Sequence, residues 1–127
     1  MSSYRLSETA ENLWAEQVTI LSGGSVADAF TSQGHALVGI VMPSGWDAAN
    51  LGYEASADNV TWNTVYDGGG NFQQTVAEAS AFIAIPLAQA VFAPFMRVKS
   101  VDSSNVAVNQ SANRTLILML RRYIGGS

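Results

Sequence analysis

The sequence predicts an all-β fold, an antiparallel two-sheet β-sandwich or jelly roll with a short N-terminal arm or helix. Three observations carry that expectation. Short runs rich in β-branched and aromatic residues recur at regular spacing along the chain. Clusters of Gly, Pro, Asn, Asp and Ser separate them, which is the chemistry of turns. Helical spacing appears only once, near the N-terminus. The 127 residues suit one domain with a core of its own. We expect an arm over residues 1–16, the sandwich over 17–124 and a tail over 125–127.

In the first segment Leu6, Ala10, Leu13 and Trp14 fall at i, i+4, i+7 and i+8, with Ser7 placed to cap a helix. An isolated helix of this length is marginal in water, so an extended arm ordered against a neighbour is the other reading. Val18 to Leu21 then reads as a strand that stops at Ser22-Gly23-Gly24-Ser25. His35 to Met42 is apolar on both pleat faces, with Ala36, Val38, Ile40 and Met42 on one and Leu37, Gly39 and Val41 on the other. That pattern predicts a central strand covered on both sides. After Pro43-Ser44-Gly45, residues 46–50 read as a helical turn or tight loop.

Leu51 to Ala57 alternates, Asp58-Asn59 is a turn dipeptide and Trp62 to Tyr66 resumes as a strand, so 51–66 reads as a hairpin. Asp67-Gly68-Gly69-Gly70-Asn71 is a second turn, with a short strand over 73–76. Phe82 to Ile85, closed by Pro86, and Phe95 to Val101 are further strands, the latter with Met96 and Val98 inward and Arg97 and Lys99 outward. Thr115 to Arg122 is the last. Seven or eight strands result, and no internal repeat accompanies them.

Composition narrows the function classes. The chain has no cysteine, which removes disulfides, thiolate metal sites and a cysteine nucleophile. Six basic residues against ten acidic ones give a net charge of −4, and the basic residues are scattered. Nucleic acid is not an expected partner, because binding it requires clustered Lys and Arg. Neither is a membrane: the uncharged stretch 79–96 is broken by Pro86 and Pro94, and falls short of a span. No secretion signal is visible at the N-terminus. Charged residues make up 13% of the chain, against about 25% in ordinary soluble domains. Interface cores are similarly poor in Lys, Glu and Asp, so part of this surface is expected to be covered by partners.

No catalytic residues are selected. His35 is the only histidine, and it lacks the nucleophile elbow that would mark it as a catalytic base. A satisfied hydrogen bond at a strand edge explains it more simply. One histidine cannot make a zinc site, and Asp58, Asn59, Asp67 and Asn71 lack the spacing of a calcium loop. No metal or cofactor is expected. Aromatic side chains outside the strand pattern are the better candidates. Tyr4, Leu6, Leu13, Trp14 and Trp46 are expected at an interface. Trp46 and Trp62, with Asp58 and Asn59, are the candidates for a ligand, although Trp62 on a strand is more simply a core residue.

Two resemblances add to this reading. The segment Tyr53-Glu54-Ala55-Ser56-Ala57-Asp58-Asn59-Val60-Thr61-Trp62 resembles the S-x-D-G-x-x-W strand–turn–strand of discoidin-like, galactose-binding-like domains, with Asn59 in place of Gly. Phe95-Met96-Arg97-Val98 resembles a late strand of the same domains. Over residues 34–122 the layout resembles small virion proteins of tailed bacteriophages, through Gly39 to Trp46, the S-x-D hairpin, Arg97-Val98-Lys99-Ser100 and Asn109-Gln110-Ser111. The second resemblance implies a non-enzymatic virion protein assembled in the host cytoplasm. It would be a capsid decoration or cement subunit, partnered by itself as a homotrimer and by the major capsid protein or another virion protein. The first implies the alternative, a carbohydrate-binding module of a tail or fibre.

Overall fold

The computed structural model describes residues 13–32, 34–85 and 93–122. Among these residues nine strands form: β1 Leu13–Ile20, β2 Phe30–Thr31, β3 His35–Val41, β4 Asn50–Ser56, β5 Asn63–Thr64, β6 Gln74–Thr75, β7 Phe82–Ala84, β8 Phe95–Val101 and β9 Arg114–Arg122. One sheet has the order β1-β9-β3-β7 and the other β2-β8-β4-β5, with β6 also paired to β4. Every pairing is antiparallel. Strands from opposite ends of the chain pair with one another: β1 with β9, β2 with β8 and β3 with β7. This is one long ribbon rolled over on itself, and apart from the two-residue β6 its two four-stranded layers have jelly-roll order.

The core lies between the layers. Val18, Ile20, Leu37, Ile40, Leu116, Leu118 and Leu120 come from the first sheet, and Phe30, Leu51, Tyr53, Met96 and Val98 from the second. Alternation accounts for β8 and β9, where Met96, Val98, Leu116, Leu118 and Leu120 are buried and their neighbours less so.

β3 departs from the expected alternation. Leu37 pairs with Leu120, but Gly39 pairs with the next residue back, Met119, so Val38 is a bulge. The extra residue reverses the pleat phase. Leu37 and Ile40, three apart, therefore both enter the core, whereas the alternation had put them on opposite faces. A further correction concerns the N-terminal segment. β1 starts at Leu13, so Leu13 and Trp14 are strand residues paired with Arg121 and Leu120 and not part of a helix. Tyr4 and Leu6 lie outside the described residues, as does residue 86 that was to close β7. β2 was not anticipated. It is two residues long and extends the cover that Ser25 to Ala27 give to the edge of β8, through Ser100 N–H to Ser25 O and Ala27 N–H to Val98 O.

One end of the sandwich is fixed by a buried polar residue. Gln110 has no exposed surface, and every group it carries is paired. Its Nε2 donates to Ser100 Oγ at 2.9 Å and to the Asp47 carbonyl at 3.3 Å. Its Oε1 accepts from Asp47 N–H at 2.9 Å and Arg114 Nε at 3.2 Å. Its backbone pairs with Gly23 and Gly24. Arg114 also reaches Asp47 Oδ1 at 3.1 Å, passing Gly45, whose φ is +104° and where a Cβ would lie 2.6 Å from the guanidinium. The positive φ favours glycine at 45, and a side chain there would also push the guanidinium aside. Gln110→Leu strands several of these partners in a dry site, and is expected to cost about 2–4 kcal/mol, read as a lower urea midpoint at unchanged slope.

Candidate functional site

The two outer faces of the sandwich have opposite chemistry. Directly paired residues in an antiparallel sheet share a face, so the register shows what each face carries. On the second sheet, Glu54 sits between Arg97 and Thr64, and Gly52 between Lys99 and Gln74. Glu54 receives Arg97 Nε at 2.7 Å and Lys99 Nζ at 3.2 Å. Partial burial pushes its carboxyl up, but the hydrogen bonds and charges of Arg97 and Lys99 outweigh that and hold it below the usual range. Gln74 continues the polar layer to Asn50 Nδ2, Asn105 Oδ1 and the Asp102 carbonyl.

On the first sheet the outward positions are almost free of charge. Met119 lies between Ala15 and Gly39, and Ile117 between Gln17 and Val41. Phe82 and Ala84 follow across from Val41 and Gly39. At the ends are Leu13 beside Arg121 and Thr19 beside Thr115, the last pair joined through their hydroxyls at 2.9 Å. Arg121 is the only charged residue among the outward positions of the described strands of this sheet. Gly39 matters here, because a Cβ would lie 3.3 Å from Cε1 of Phe82. The ring lies against the missing side chain, yet Phe82 stays 68% exposed.

The sequence-selected residues fall in four places. Trp46 is buried in the core and donates from Nε1 to the Ala49 carbonyl at 3.1 Å, so it is not a loop-borne anchor. The apolar pocket beneath the 43–49 loop accepts the ring, and nothing in the local composition distinguishes this from exposure. Trp62 is half-buried but outside the core. Its ring faces Arg97, with the guanidinium carbon 4.3 Å from the centroid. Leu13 and Trp14 are exposed at the start of β1, Trp14 against the His35 ring at a centroid separation of 5.8 Å. Asp58 and Asn59 build a turn.

That turn is one of three made by the same device. Asp58 Oδ1 accepts from Val60 N–H and Thr61 N–H at 2.8 Å, and Asn59 takes the left-handed conformation at φ 63°. Asp67 does likewise for Gly69 and Asn71, and Asp102 for Ser104 and Val106. The Thr61 and Val60 amides, helped by the Ser56 hydroxyl, bring Asp58 down to about 2. The Asn71 and Gly69 amides lower Asp67 in the same way. These carboxylates are occupied by their own backbone and lie in separate loops. No group of three His, Cys, Asp or Glu placed to hold a metal occurs among the described residues.

His35 is buried at the start of β3, and its Nδ1 lies 3.1 Å from the Ser32 carbonyl. It borders an open, mostly apolar depression with Thr31, Ser32, Gly34, Ala93, Pro94 and Phe95. Ser32 Oγ donates to the Ala93 carbonyl. The residues that sequence reasoning missed are on the outer face of β9 and β7, namely Ile117, Met119, Phe82 and Ala84. Their signal was present, because Leu116 to Leu120 is apolar at both parities, yet only one parity meets the core.

The lowered aspartates set an acid limit. A group with a depressed folded pKa stabilises the fold above its unfolded value and loses that contribution as pH falls through the folded one. For Asp58 the window runs from 3.8 down to about 2. The urea midpoint should fall across it, and less so in Asp58→Asn. At the other end, burial raises Tyr53 to about 12 from 10.0, so the urea midpoint should decline as pH rises from 10 towards 12. No helix among the described residues is long and apolar enough to cross a membrane. No protein-family model matches the chain, and no curated protein matches it either.

Proposed function

We propose that this chain is a structural assembly subunit that buries the outer face of β1-β9-β3-β7 against other protein. The observation that carries this reading is the partition of charge. The Glu54–Arg97–Lys99 network occupies one outer face, while the other carries exposed Phe82 and Ala84 beside half-buried Ile117, Met119 and Val41, with Arg121 the only charge among its described outward positions. A continuous apolar surface rimmed by polar groups marks a protein contact. The low charged fraction, 13%, is consistent with it. The resemblance to tailed-phage virion proteins supplies the setting: a capsid decoration or cement protein, with the shell and its own copies as partners. Jelly rolls serve in viral capsids as in lectins, which supports that setting only by analogy of fold.

A second reading, a carbohydrate-binding module, is favoured by one observation. Tyr66 and Phe72 face each other across the Asp67–Asn71 turn with ring centroids 5.2 Å apart, and Tyr66 is 56% exposed. Exposed rings beside fixed polar groups are a platform for sugars.

Phe82→Glu with Ala84→Glu separates the readings. Both positions are exposed, so the fold should be kept with changes of about 0.5 kcal/mol each. Light scattering should show the unmodified chain in a larger assembly than the double variant. Equal masses together with glycan binding that Tyr66→Ala removes would transfer the proposal to the second reading.

A further inference from the structure

We infer that the tip of the 66–72 hairpin binds the ring of an uncharged sugar, stacked on Tyr66 and Phe72 and hydrogen-bonded by Asp67 and Asn71. This rests on the second, carbohydrate-binding reading above, to which it adds the ligand class and the polar contacts, and is independent of the assembly face. The two rings stand on a fixed hairpin. Tyr66 and Phe72 are bridged through their backbones. The hairpin joins the sheet through Val65 N–H to Tyr53 O and Gln73 N–H to Val65 O, each at 3.0 Å. Gly70 N–H to Asp67 O at 3.2 Å and Asp67 N–H to Asn71 O at 2.8 Å close the reversal. The ring centroids are 5.2 Å apart and the planes inclined at 31°. Neither ring packs against the core cluster, and Tyr66 stays 56% and Phe72 36% exposed. A large apolar area is thus held in place and left open, so a ligand meets it without first ordering it.

The three glycines of the turn are not equivalent. Only Gly70, at φ 86°, takes the left-handed conformation that favours glycine. At Gly68 a Cβ would meet nothing within 4 Å. At Gly69 it would stand at ordinary contact distances, 3.4 Å from Asp67 Oδ1 and 3.7 Å from Asn71 Nδ2. The fold itself has no use for these two bare positions, and each costs conformational entropy. Bare backbone beside exposed rings lets a ligand approach closely. The polar groups bordering that space select the ligand. A carboxylate has about four acceptor directions, and the Gly69 and Asn71 amides both enter at Oδ1, which leaves capacity for a hydroxyl. The Asn71 and Gly69 amides hold the Asp67 carboxyl below its usual range, so it stays charged and repels an anionic ligand. A sugar fits this combination, with C–H faces for the rings and hydroxyls that donate to the carboxylate and accept from the Asn71 amide.

The full chain is passed over surfaces densely bearing glucose, galactose, mannose or N-acetylglucosamine, and over the sulfated form of each. Dense display strengthens retention by an open, single-ring site. At least one neutral surface should retain the chain, and its sulfated form should do so at least about tenfold less. Gly69→Leu should keep the urea midpoint, because its Cβ has room in the turn. It should still lose at least about tenfold in retention by covering Asp67 and Asn71. Tyr66→Ala should lose as much, through the stacking surface. Retention that either variant leaves unchanged would overturn this inference and put the sugar elsewhere on the chain, with the carbohydrate reading standing. Equal or stronger retention on the sulfated surfaces would overturn it as well. No retention on any surface would remove both the inference and the carbohydrate reading, and leave the assembly reading untouched.

Discussion

The end of the sandwich opposite His35 depends on one uncharged, fully enclosed amide. Gln110 links the 22–25 turn, the 43–49 loop, β8 and the start of β9 through both ends of its side chain and through its backbone. Four connections converge there, and they include crossings between the layers. Apolar packing is non-directional and would tolerate small slips of one sheet over the other. A saturated buried amide is directional, since it has two donors and two acceptors in fixed places. It selects one relative placement of the layers, and Arg114 and Asp47 extend that selection to the surface. Glycine at 45 is the sequence mark of this arrangement, because the guanidinium occupies the space a side chain would take.

With the layers fixed, the distribution of charge over the two outer faces follows from strand parity. Each sheet spends one parity on the core, and the other is free to be polar or apolar. The second sheet uses it for Glu54, Arg97 and Lys99, the two cations sharing one carboxylate and Arg97 also facing the Trp62 ring. The first sheet fills the same positions with Ile117, Met119 and Val41. Residues of this outward parity pair across the strands but do not reach the opposite layer, so the core does not dictate their polarity. Their chemistry is left to whatever meets the face.

The fold was legible because turns and alternation are local. Asp58-Asn59 and the Asp67–Asn71 run each announced a reversal, and each is built by a carboxylate receiving its own downstream amides. The pairs β4·β8 and β1·β9 follow regular registers. The parts that were not legible depend on distant residues. Nothing near residues 13–16 says that β9 lies alongside to make a strand of them. Trp46 looks like a loop aromatic until the core beneath it is seen. Trp62 alternates as a strand residue should, but its face is decided by Arg97, thirty-five positions later in the chain. The apolar outer face was hidden by its neighbours: a run apolar at both parities reads as doubly covered, and only the layer order reveals that one side meets no second sheet.

The bulge at Val38 divides β3 into two half-strands of opposite phase, with one residue held between them. Deleting Val38 would close the bulge and leave Leu37 against Leu120 and Gly39 against Met119, so His35, Leu37 and Ile40 would keep their inward faces, whereas deleting a residue from the middle of the unbulged β9 would turn every side chain beyond it over. In the Gly68-Gly69-Gly70 turn the loss of a residue would only shorten an exposed reversal. Single-residue deletions would thus have unequal fates: the bulge and the turn can absorb one, and the regular strand cannot.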